Sequence, residues 1–279
     1  MHKGATFALA TAVGVVGAVA YSKTSKTPFS VIGPLSLTRM TLQSSELLNH
    51  NTKKLRFALP DSNTRTGLSL TSALLSVSLP PGNGLRTPVL RPYTPTNDPN
   101  EPGYVEFMIK LYPGGKQSTL MHSLKPGDTL SFMRIPSLGW KPNQYEHVAL
   151  IAGGAGITPM YQLLHGILSN PDDKTRITLV WGVNTDEDLF LKEEFAALEK
   201  SHPQRFKTHY VVSNPEQGSR FKKGYVTKEL LEQAGLKADN NGAVKVLVCG
   251  PPPMEKALTA RGSGILAQLG YSASQIHQY

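Results

Sequence analysis

The chain has 279 residues, of which 39% are hydrophobic and 18% charged, and this length and composition suit two globular domains with separate cores. Its 29 Lys and Arg exceed its 20 Asp and Glu, and the formal charge of +9 favours an acidic partner, an anionic cofactor or an anionic membrane surface. The single cysteine excludes an intramolecular disulfide and a multi-cysteine metal site. The sequence shows no nucleic-acid motif and no metal-ligand spacing among its histidines, so we predict neither function.

The N-terminal residues 4–21 carry no charge and are mostly Ala, Gly and Val. As a helix they would extend roughly 27 Å, close to the minimum for crossing a bilayer. We predict a retained but marginal membrane anchor. The Ala18-Val19-Ala20 triplet also fits a cleaved signal peptide, and a peripheral tail is the third alternative. Residues 22–28 are rich in Ser, Thr and Lys, so residues 1–28 are predicted to be an anchor and linker.

Residues 29–140 contain short apolar runs separated by Gly and Pro, without a long helical pattern. This pattern predicts an antiparallel β-barrel domain. The predicted strands are residues 35–42, 54–59, 68–79, 89–90, 104–112 and 129–133. One helix is predicted, at residues 118–124, directly after a pair of glycines.

The pattern changes around residues 136–143, where we place the domain boundary, and residues 141–279 then alternate strands with helices. Such alternation predicts parallel βαβ units and a Rossmann-like α/β nucleotide-binding domain. The predicted strands are residues 147–152, 176–181, 208–212 and 245–249, and the predicted helices are residues 158–168, 192–200, 227–234 and 252–269.

The segment Arg91-Pro92-Tyr93-Thr94 sets a cation, an aromatic ring and a hydroxyl between two strand-like runs. A flavin dinucleotide needs its pyrophosphate charge balanced, its ring packed on a flat group and a polar group near the ring nitrogen that gains hydride. The segment can supply all three. Taken alone, it also fits a proline-rich turn with a surface arginine.

Three further motifs follow in the chain. Gly114-Gly115-Lys116-Gln117-Ser118 stands where a helix N-terminus would attract a phosphate, although the glycines alone also fit a hairpin loop. Gly154-Ala155-Gly156-Ile157-Thr158-Pro159 follows a buried strand, as a dinucleotide turn does, and it also predicts helix entry with Thr158 as the cap and Pro159 as the first helical residue. Cys249-Gly250-Pro251-Pro252-Pro253-Met254 follows a third strand.

In this order and spacing, the four motifs resemble those of the NADH-cytochrome b5 reductase family, within the ferredoxin reductase superfamily, from about residue 35 to the C-terminus. The membrane-anchored mitochondrial form is the most similar. The resemblance implies a monomeric flavoprotein oxidoreductase that passes electrons from NADH through FAD to cytochrome b5 or a similar acidic haem protein. It also implies attachment to the mitochondrial outer membrane, with the endoplasmic reticulum membrane as the alternative.

The resemblance also implies roles for individual residues. Arg91 would bind the flavin pyrophosphate, Tyr93 the ring and ribityl chain, and Thr94 the flavin N5 region. The FAD-binding set is Arg91, Pro92, Tyr93, Thr94, Lys110, Tyr112, Gly115, Lys116, Gln117, Ser118 and Thr158. Gln117 replaces the family's Met, which puts a side-chain contact there in doubt but not a backbone contact.

The set implied for NAD(P)H is Gly154, Gly156, Thr158, Pro159, Ser213, Cys249, Gly250, Pro251 and Met254. The catalytic residues would be Thr94 and Cys249, with Cys249 orienting the nicotinamide without becoming a nucleophile. A lone cysteine at a strand end also fits a small core residue. Met254 is expected to pack rather than react. The terminal Tyr279 falls where the superfamily has an aromatic residue, and it is a further candidate for a place beside the flavin.

Ser213 stands where the family has an Asp that binds the adenine ribose and repels a 2′-phosphate. Neither Ser213 nor its neighbour Asn214 is acidic, and Arg220, Lys222 and Lys223 follow shortly after. We predict NADH as the coenzyme, with weak discrimination against NADPH. The basic cluster by itself also fits a solvated loop.

Two other functions stay open. One is a flavin reductase that serves another acceptor, such as a quinone or a nitrate-reductase partner. The other is a flavin-loaded tethering protein without turnover, which only the anchor favours. Arg91, Tyr93, Thr94, Ser118 and Cys249 are all present, and this argues against a protein without turnover.

Overall fold

The computed structural model describes residue 32 and residues 36–79, 87–238 and 242–279. The predicted anchor at residues 4–21 lies outside these residues. Within the described ranges, no helix is both long and apolar enough to cross a bilayer. The described chain folds around two six-stranded sheets, one for each of the two sequence patterns.

The first sheet is antiparallel throughout, in the order β4-β3-β6-β1-β2-β5. Its strands are β1 (Leu37–Asn49), β2 (Thr52–Ala58), β3 (Ala73–Ser78), β4 (Val89–Tyr93), β5 (Tyr104–Lys110) and β6 (Thr129–Ile135), and helix α1 (Lys116–Ser123) connects the last two. Alternate side chains on each strand face one core, as the period of a strand requires. Three aromatic rings fill its centre, since Phe132 lies 5.2 Å from both Phe57 and Phe107.

The two edge strands of this sheet, β4 and β5, meet in space. The ring of Tyr93 on β4 packs 6.4 Å from Phe107 on β5, and the N–H of Thr96 donates to the carbonyl of Glu106 at 2.8 Å. Strands at opposite ends of the sheet order can touch only if the sheet curls round on itself. The sheet therefore encloses its core in the manner expected of an antiparallel barrel.

The second sheet is parallel throughout, in the order β10-β9-β8-β7-β11-β12. Its strands are β7 (His147–Gly153), β8 (Arg176–Val183), β9 (Phe206–Val212), β10 (Lys222–Lys223), β11 (Val244–Cys249) and β12 (Ile276–Gln278). Its helices are α2 (Ile157–Ser169), α3 (Lys192–Ser201), α4 (Lys228–Gln233), α5 (Pro252–Thr259) and α6 (Ile265–Gln268). Leu150 and Ile151 are neighbours on β7, but they enter separate core clusters on the two faces, so the sheet is buried on both sides.

The strand order reverses between β7 and β11. The strands β8, β9 and β10 lie to one side of β7, whereas β11 and β12 lie to the other. In open parallel sheets, ligands bind beyond the carboxyl ends of the strands at such a switch point. Here that point is formed by the turns that begin at Gly154 after β7 and at Gly250 after β11.

The structure differs from the sequence-based prediction in several elements, and the strand predicted at residues 68–79 begins only at Ala73. Strand β1 continues to Asn49 because β2 pairs with it as far as that residue, although residues 43–46 are polar. The sequence analysis did not predict the short strands β10 and β12. Each has no hydrophobic pattern of its own and forms by pairing with one neighbouring strand. The helix predicted over residues 252–269 is two helices, and Gly264 lies at the break, where an added Cβ would be 2.6 Å from backbone atoms of Leu258 and Ala260.

Buried contacts join the two sheets. Met108 on β5 of the barrel belongs to the core cluster beneath α2 and α3. Gln162 on α2 donates from Nε2 to two barrel carbonyls, Ser72 at 3.2 Å and Pro95 at 3.0 Å. The carboxyl ends of the parallel strands thus face the barrel across a shared interface.

Candidate active site

The predicted flavin-binding segment forms the edge of the barrel. Arg91 and Tyr93 lie on β4, and Thr94 follows as the chain leaves the strand. The Arg91 side chain is exposed. Among the described residues, its guanidinium has one hydrogen-bond acceptor, the carbonyl of Leu90 at 2.8 Å from Nη1. Because a guanidinium has five N–H donors, Arg91 retains donors for an anion.

Tyr93 supplies the aromatic group at this edge. Its ring is partly buried against Phe107, and burial raises the pKa of Tyr93 to about 12. The phenol is therefore protonated at neutral pH and can donate a hydrogen bond. Thr94 is nearly buried beside it, with 9% of its surface exposed, which restricts the orientation of its hydroxyl.

The glycine pair forms a tight turn at the start of α1. Gly114 has φ +71°, and the N–H of Gly115 donates to the carbonyl of Tyr112 at 2.9 Å. A Cβ on Gly115 would lie 2.6 Å from Oγ of Ser118 and 3.1 Å from the carbonyl oxygen of Tyr112, so the turn leaves little room for a side chain there. No side chain caps the N-terminus of α1, and its first N–H groups are left for an anion.

The Gln117 side chain is directed into the protein. It is 3% exposed, and its Oε1 accepts a hydrogen bond from Ser78 Oγ at 2.5 Å. Any contact between Gln117 and a cofactor would therefore come from its backbone. Lys116, one residue earlier at the helix start, is exposed.

These residues fit the pyrophosphate of a flavin dinucleotide. An exposed guanidinium, an uncapped helix N-terminus and a tight glycine turn are the features that such an anion needs. The uncharged Tyr93 ring, next to Arg91 on the same strand, suits the apolar ring system of the same ligand.

The Gly154 turn forms one half of the switch point. Residues Gly154–Gly156 coil into a 3-10 turn, and Nε1 of Trp181 donates to the carbonyl of Gly154 at 3.0 Å. Helix α2 then begins at Ile157 with Gly156 as its cap. The prediction of Thr158 as the cap and Pro159 as the first helical residue is wrong by two positions, because the 3-10 turn leads directly into the helix. The Thr158 hydroxyl instead donates to the Ala155 carbonyl at 3.2 Å.

The segment after β11 forms the other half. Pro251 caps α5, and the N–H of Gly250 donates to Oε1 of Glu255 at 2.9 Å. The two halves touch, because a Cβ on Gly156 would lie 2.1 Å from the Cys249 carbonyl oxygen and a Cβ on Gly153 would lie 2.7 Å from Met254 Sδ. This close approach brings the backbone of both turns to one crevice.

Cys249 lies at the carboxyl end of β11 in this crevice. Burial, with a smaller contribution from Glu255, raises the pKa of its thiol to about 12. The thiol is therefore protonated at neutral pH, whereas a nucleophilic cysteine needs a lowered pKa.

We expect Cys249→Ser to retain bound FAD and to slow flavin reduction by NADH by about threefold to tenfold, since the smaller hydroxyl positions the nicotinamide less well. Single-turnover absorbance of the flavin measures the rate. The parent thiol should also react slowly with iodoacetamide at neutral pH. If the variant were reduced at the parental rate, Cys249 would have only a packing role.

The terminal Tyr279 ends the chain beside Cys249. Its N–H donates to the Val248 carbonyl at 3.1 Å, which continues the β11–β12 pairing. Burial raises the pKa of Tyr279, and the neighbouring Cys249 raises it further. The place of Tyr279 beside a flavin stays a prediction.

The loop after β9 contains Ser213 and is tied to the loop after β8. Asn184 Oδ1 accepts hydrogen bonds from Ser213 Oγ at 3.2 Å and from Asn214 Nδ2 at 2.7 Å. Asp186 accepts from the N–H of Glu216 at 3.0 Å and from Ser219 Oγ at 2.5 Å. The carboxylate that binds this loop, Asp186, thus comes from the loop after β8, and no sequence pattern predicted it.

The basic cluster that follows is not entirely a loop. Lys222 and Lys223 form the short strand β10, where both are exposed. The guanidinium of Arg220 lies 5.2 Å from the ring centroid of Phe221.

A cleft of about 490 Å³ separates the barrel from the loop after β8. Its walls include the predicted residues Lys110 and Tyr112 together with His50, Asn51, Asn184, Thr185 and Asp188, which sequence reasoning missed. Asn184 and Thr185 directly follow the carboxyl end of β8, and this position in a parallel sheet could have marked them. His50 and Asn51 lie in a hairpin that carries no sequence signal of its own.

Tyr112 connects the cleft to the switch point. Its hydroxyl would lie 3.8 Å from a Cβ on Gly154. Burial raises the pKa of Tyr112, against the opposing effect of a hydrogen bond with the backbone of Ala155. The barrel therefore reaches the Gly154 turn directly, and the two predicted nucleotide sites open towards each other. Within the described part of the chain, no cluster of His, Cys, Asp and Glu has the arrangement of a metal site.

Comparisons with known proteins identify both domains. Residues 39–136 match the oxidoreductase FAD-binding domain model, and residues 150–260 match the oxidoreductase NAD-binding domain model. NADH-cytochrome b5 reductase 2 of Emericella nidulans is 44% identical over 250 residues, which cover 86% of this chain and 77% of that protein. The protein of the same name from Botryotinia fuckeliana is 46% identical over 250 residues, which cover 86% and 71%.

Solved structures agree with this result. The cytochrome b5 reductase domain of Ulva prolifera nitrate reductase has a TM-score of 0.81 at 28% identity, over 90% of this chain and 100% of that one. A ferredoxin NADP+ reductase from Neisseria gonorrhoeae, solved with bound FAD and NADP, shares the fold with a TM-score of 0.68 at 19% identity, over 87% and 98%. With an FAD-binding barrel and an NAD-binding sheet joined at one crevice, the chain belongs to the NADH-cytochrome b5 reductase family.

Proposed function

We propose that this protein is an FAD-dependent oxidoreductase that passes electrons from NADH to cytochrome b5. The observation that carries the proposal is the contact of Tyr112, on the FAD-binding barrel, with the Gly154 turn of the NAD-binding sheet. This contact brings the two nucleotide sites together at one crevice. NADH, the hydride donor, and FAD, the acceptor, can therefore be held next to each other.

FAD supplies the chemistry that joins a two-electron donor to a one-electron haem acceptor. The protein supplies binding and orientation. Arg91 and the N-terminus of α1 offer charge-assisted and backbone donors to the pyrophosphate. The turns at Gly154 and Gly250 let the protein backbone approach NADH closely, and the protonated Cys249 thiol limits the position of the nicotinamide.

Stopped-flow mixing of the purified protein with NADH tests this function. The flavin absorbance should bleach within one turnover and recover on addition of oxidised cytochrome b5. Parallel reactions with a quinone identify a different acceptor if only the quinone reoxidises the flavin. A protein that binds FAD but is not reduced by NADH would instead be a flavin-loaded tethering protein.

Coenzyme choice follows from Ser213. The residue at this position carries no charge that could repel a 2′-phosphate, and we propose that NADH is preferred while NADPH supports measurable turnover. We expect Ser213→Asp to raise the Michaelis constant for NADPH selectively by about fivefold or more, the lower end of the range of about 1 to 4 kcal/mol for like charges at 4 to 5 Å. The effect should shrink as salt rises, because the loop is partly exposed.

Steady-state kinetics with both coenzymes provide this measurement. Ser44→Asp adds the same charge at an exposed position on β1 and serves as the control. If Ser213→Asp changed both Michaelis constants equally, Ser213 would not lie at the 2′ position, and Asn214 or the Arg220, Lys222 and Lys223 cluster should be tested next.

We also propose that residues 4–21 anchor a monomeric enzyme to the mitochondrial outer membrane, with the endoplasmic reticulum as the competing location. The uncharged sequence and the formal charge of +9 support attachment to an anionic membrane. Fractionation of cells that express the full chain distinguishes the two membranes.

Truncation before Lys26 should yield a soluble protein that still reduces ferricyanide with NADH, because every residue assigned to the cofactors lies beyond this point. Sedimentation with membranes and ferricyanide turnover measure the two properties. If activity vanished while FAD stayed bound, the segment would be more than a tether.

A further inference from the structure

A buried ion pair joins the two domains at the edge of the cleft. Lys110 Nζ on the barrel lies 2.6 Å from Asp188 Oδ1, and Asn51 Nδ2 of the β1–β2 hairpin donates to the same oxygen at 3.0 Å. The side chains of Lys110 and Asp188 are only 16% and 4% exposed. We call Lys110, Asn51 and Asp188 the interdomain latch.

Hydrogen bonds within the NAD-binding domain hold the Asp188 carboxylate in place. It ends the 3-10 turn Asp186–Asp188, and its Oδ2 accepts from the N–H of Thr185 at 3.1 Å and from the Thr185 hydroxyl at 3.3 Å. Burial alone would raise the pKa of Asp188, but the hydrogen bonds from Lys110 and Asn51 hold it below its ordinary value. Asp188 is therefore ionised and presents its second oxygen to the barrel in one orientation.

The latch and the switch point line the same small cavity. A cavity of about 10 Å³, close to the volume of one water probe, is lined by Lys110 and Asp188 on one side and by Gly154, Ala155 and Thr158 on the other. The 490 Å³ cleft is also lined by Lys110 and Asp188. Lys110 and Asp188 thus line both the cleft and the small cavity beside the Gly154 turn, so a shift of the latch would disturb the packing of this turn.

A different charged contact on the same turn is exposed. Glu187 Oε2 lies 3.1 Å from His50 Nδ1, but their side chains are 63% and 42% exposed. Exposed pairs contribute little, whereas removing one member of a buried pair leaves an uncompensated charge. The structure therefore offers a matched pair of acidic residues, one in the latch and one next to it.

We propose that Asp188 is a positioning residue for flavin reduction, which acts through Lys110 to hold the Gly154 turn of the NAD-binding sheet in register with the FAD-binding barrel. The inference rests on the proposed function, because it concerns the hydride-transfer geometry of that same site. Asp188 itself need touch neither coenzyme nor flavin for this role.

The test measures the limiting rate constant of flavin reduction at saturating NADH. We expect Asp188→Leu to lower this constant about tenfold or more, with parental FAD content and a smaller change in the half-saturating NADH concentration. Asp188→Asn keeps one oxygen that can accept from Lys110 and Asn51, but its amide nitrogen cannot accept from Thr185, so it should lose less than Asp188→Leu, about threefold. The control Glu187→Gln should stay within about twofold of the parent.

A double-mutant cycle with Lys110→Met decides whether Asp188 acts through Lys110. If it does, Asp188→Leu should slow the Lys110→Met protein by less than about twofold, because the contact is already lost. If the fold-decreases in the rate constant caused by Asp188→Leu and Lys110→Met multiplied in the double variant, the proposal would be overturned. A parental rate in Asp188→Leu would overturn it as well. Should Asp188→Leu fail to retain FAD, the same cycle is run with the smaller Asp188→Ala, which also removes the acceptor for Lys110. A parent protein that NADH does not reduce contradicts the proposed function instead.

Discussion

Arg91→Glu is expected to purify without FAD. The change removes a charge-assisted hydrogen bond to the pyrophosphate, typically about 1.5 to 3 kcal/mol, and adds repulsion of about 1 kcal/mol at this exposed site. Together these effects should weaken FAD binding about 100-fold or more. The ratio of flavin to protein absorbance, followed by titration with added FAD, measures the loss.

Arg39→Glu is the matched control for this charge reversal. Arg39 is an exposed arginine on β1 of the same barrel and lies outside the predicted FAD-binding set. The control should keep parental flavin content. If Arg91→Glu did so too, the assignment of Arg91 to the pyrophosphate would be wrong.

Gly156→Ala should abolish most NADH-dependent reduction while FAD stays bound. An added Cβ would lie 2.1 Å from the carbonyl oxygen of Cys249 and 3.0 Å from the nitrogen of Gly250, so the backbone at the switch point must shift. Overpacking of this kind costs about 1 to 3 kcal/mol of folding free energy. A displacement of about 1 Å at the nicotinamide position can lower the rate about 100-fold, which single-turnover flavin absorbance would detect.

Gly218→Ala separates this collision from the general cost of replacing a glycine. Gly218 has φ +82°, yet an added Cβ there would meet no atom within 4 Å. This control should lose some stability to backbone strain and keep the parental rate of flavin reduction. Thermal unfolding of both variants shows whether they are folded. Equal reduction rates in the two variants would mean that the backbone geometry at the switch point does not control flavin reduction.

Local patterns in the sequence determined the class of this protein. Alternation of short strands with Gly and Pro predicted the antiparallel barrel, and alternation of strands with helices predicted the parallel sheet. Both are short-range periodicities, which a single sequence displays directly. The motifs at Arg91, Gly115, Gly154 and Cys249 could also be predicted from the sequence. Each lies at a strand end or helix start, and its chemistry depends on adjacent residues.

The cross-domain geometry was decided by the tertiary structure alone. Asp188 and Lys110 are separated by 78 residues in sequence, and Asn51 is 137 residues from Asp188, so no local pattern could pair them. The Gln117 side chain points inward because it bonds to Ser78, 39 residues earlier. Strand β12 exists because β11 offers it an edge. In each case the deciding partner is distant in the chain, and folding alone supplies the contact that fixes the residue's role.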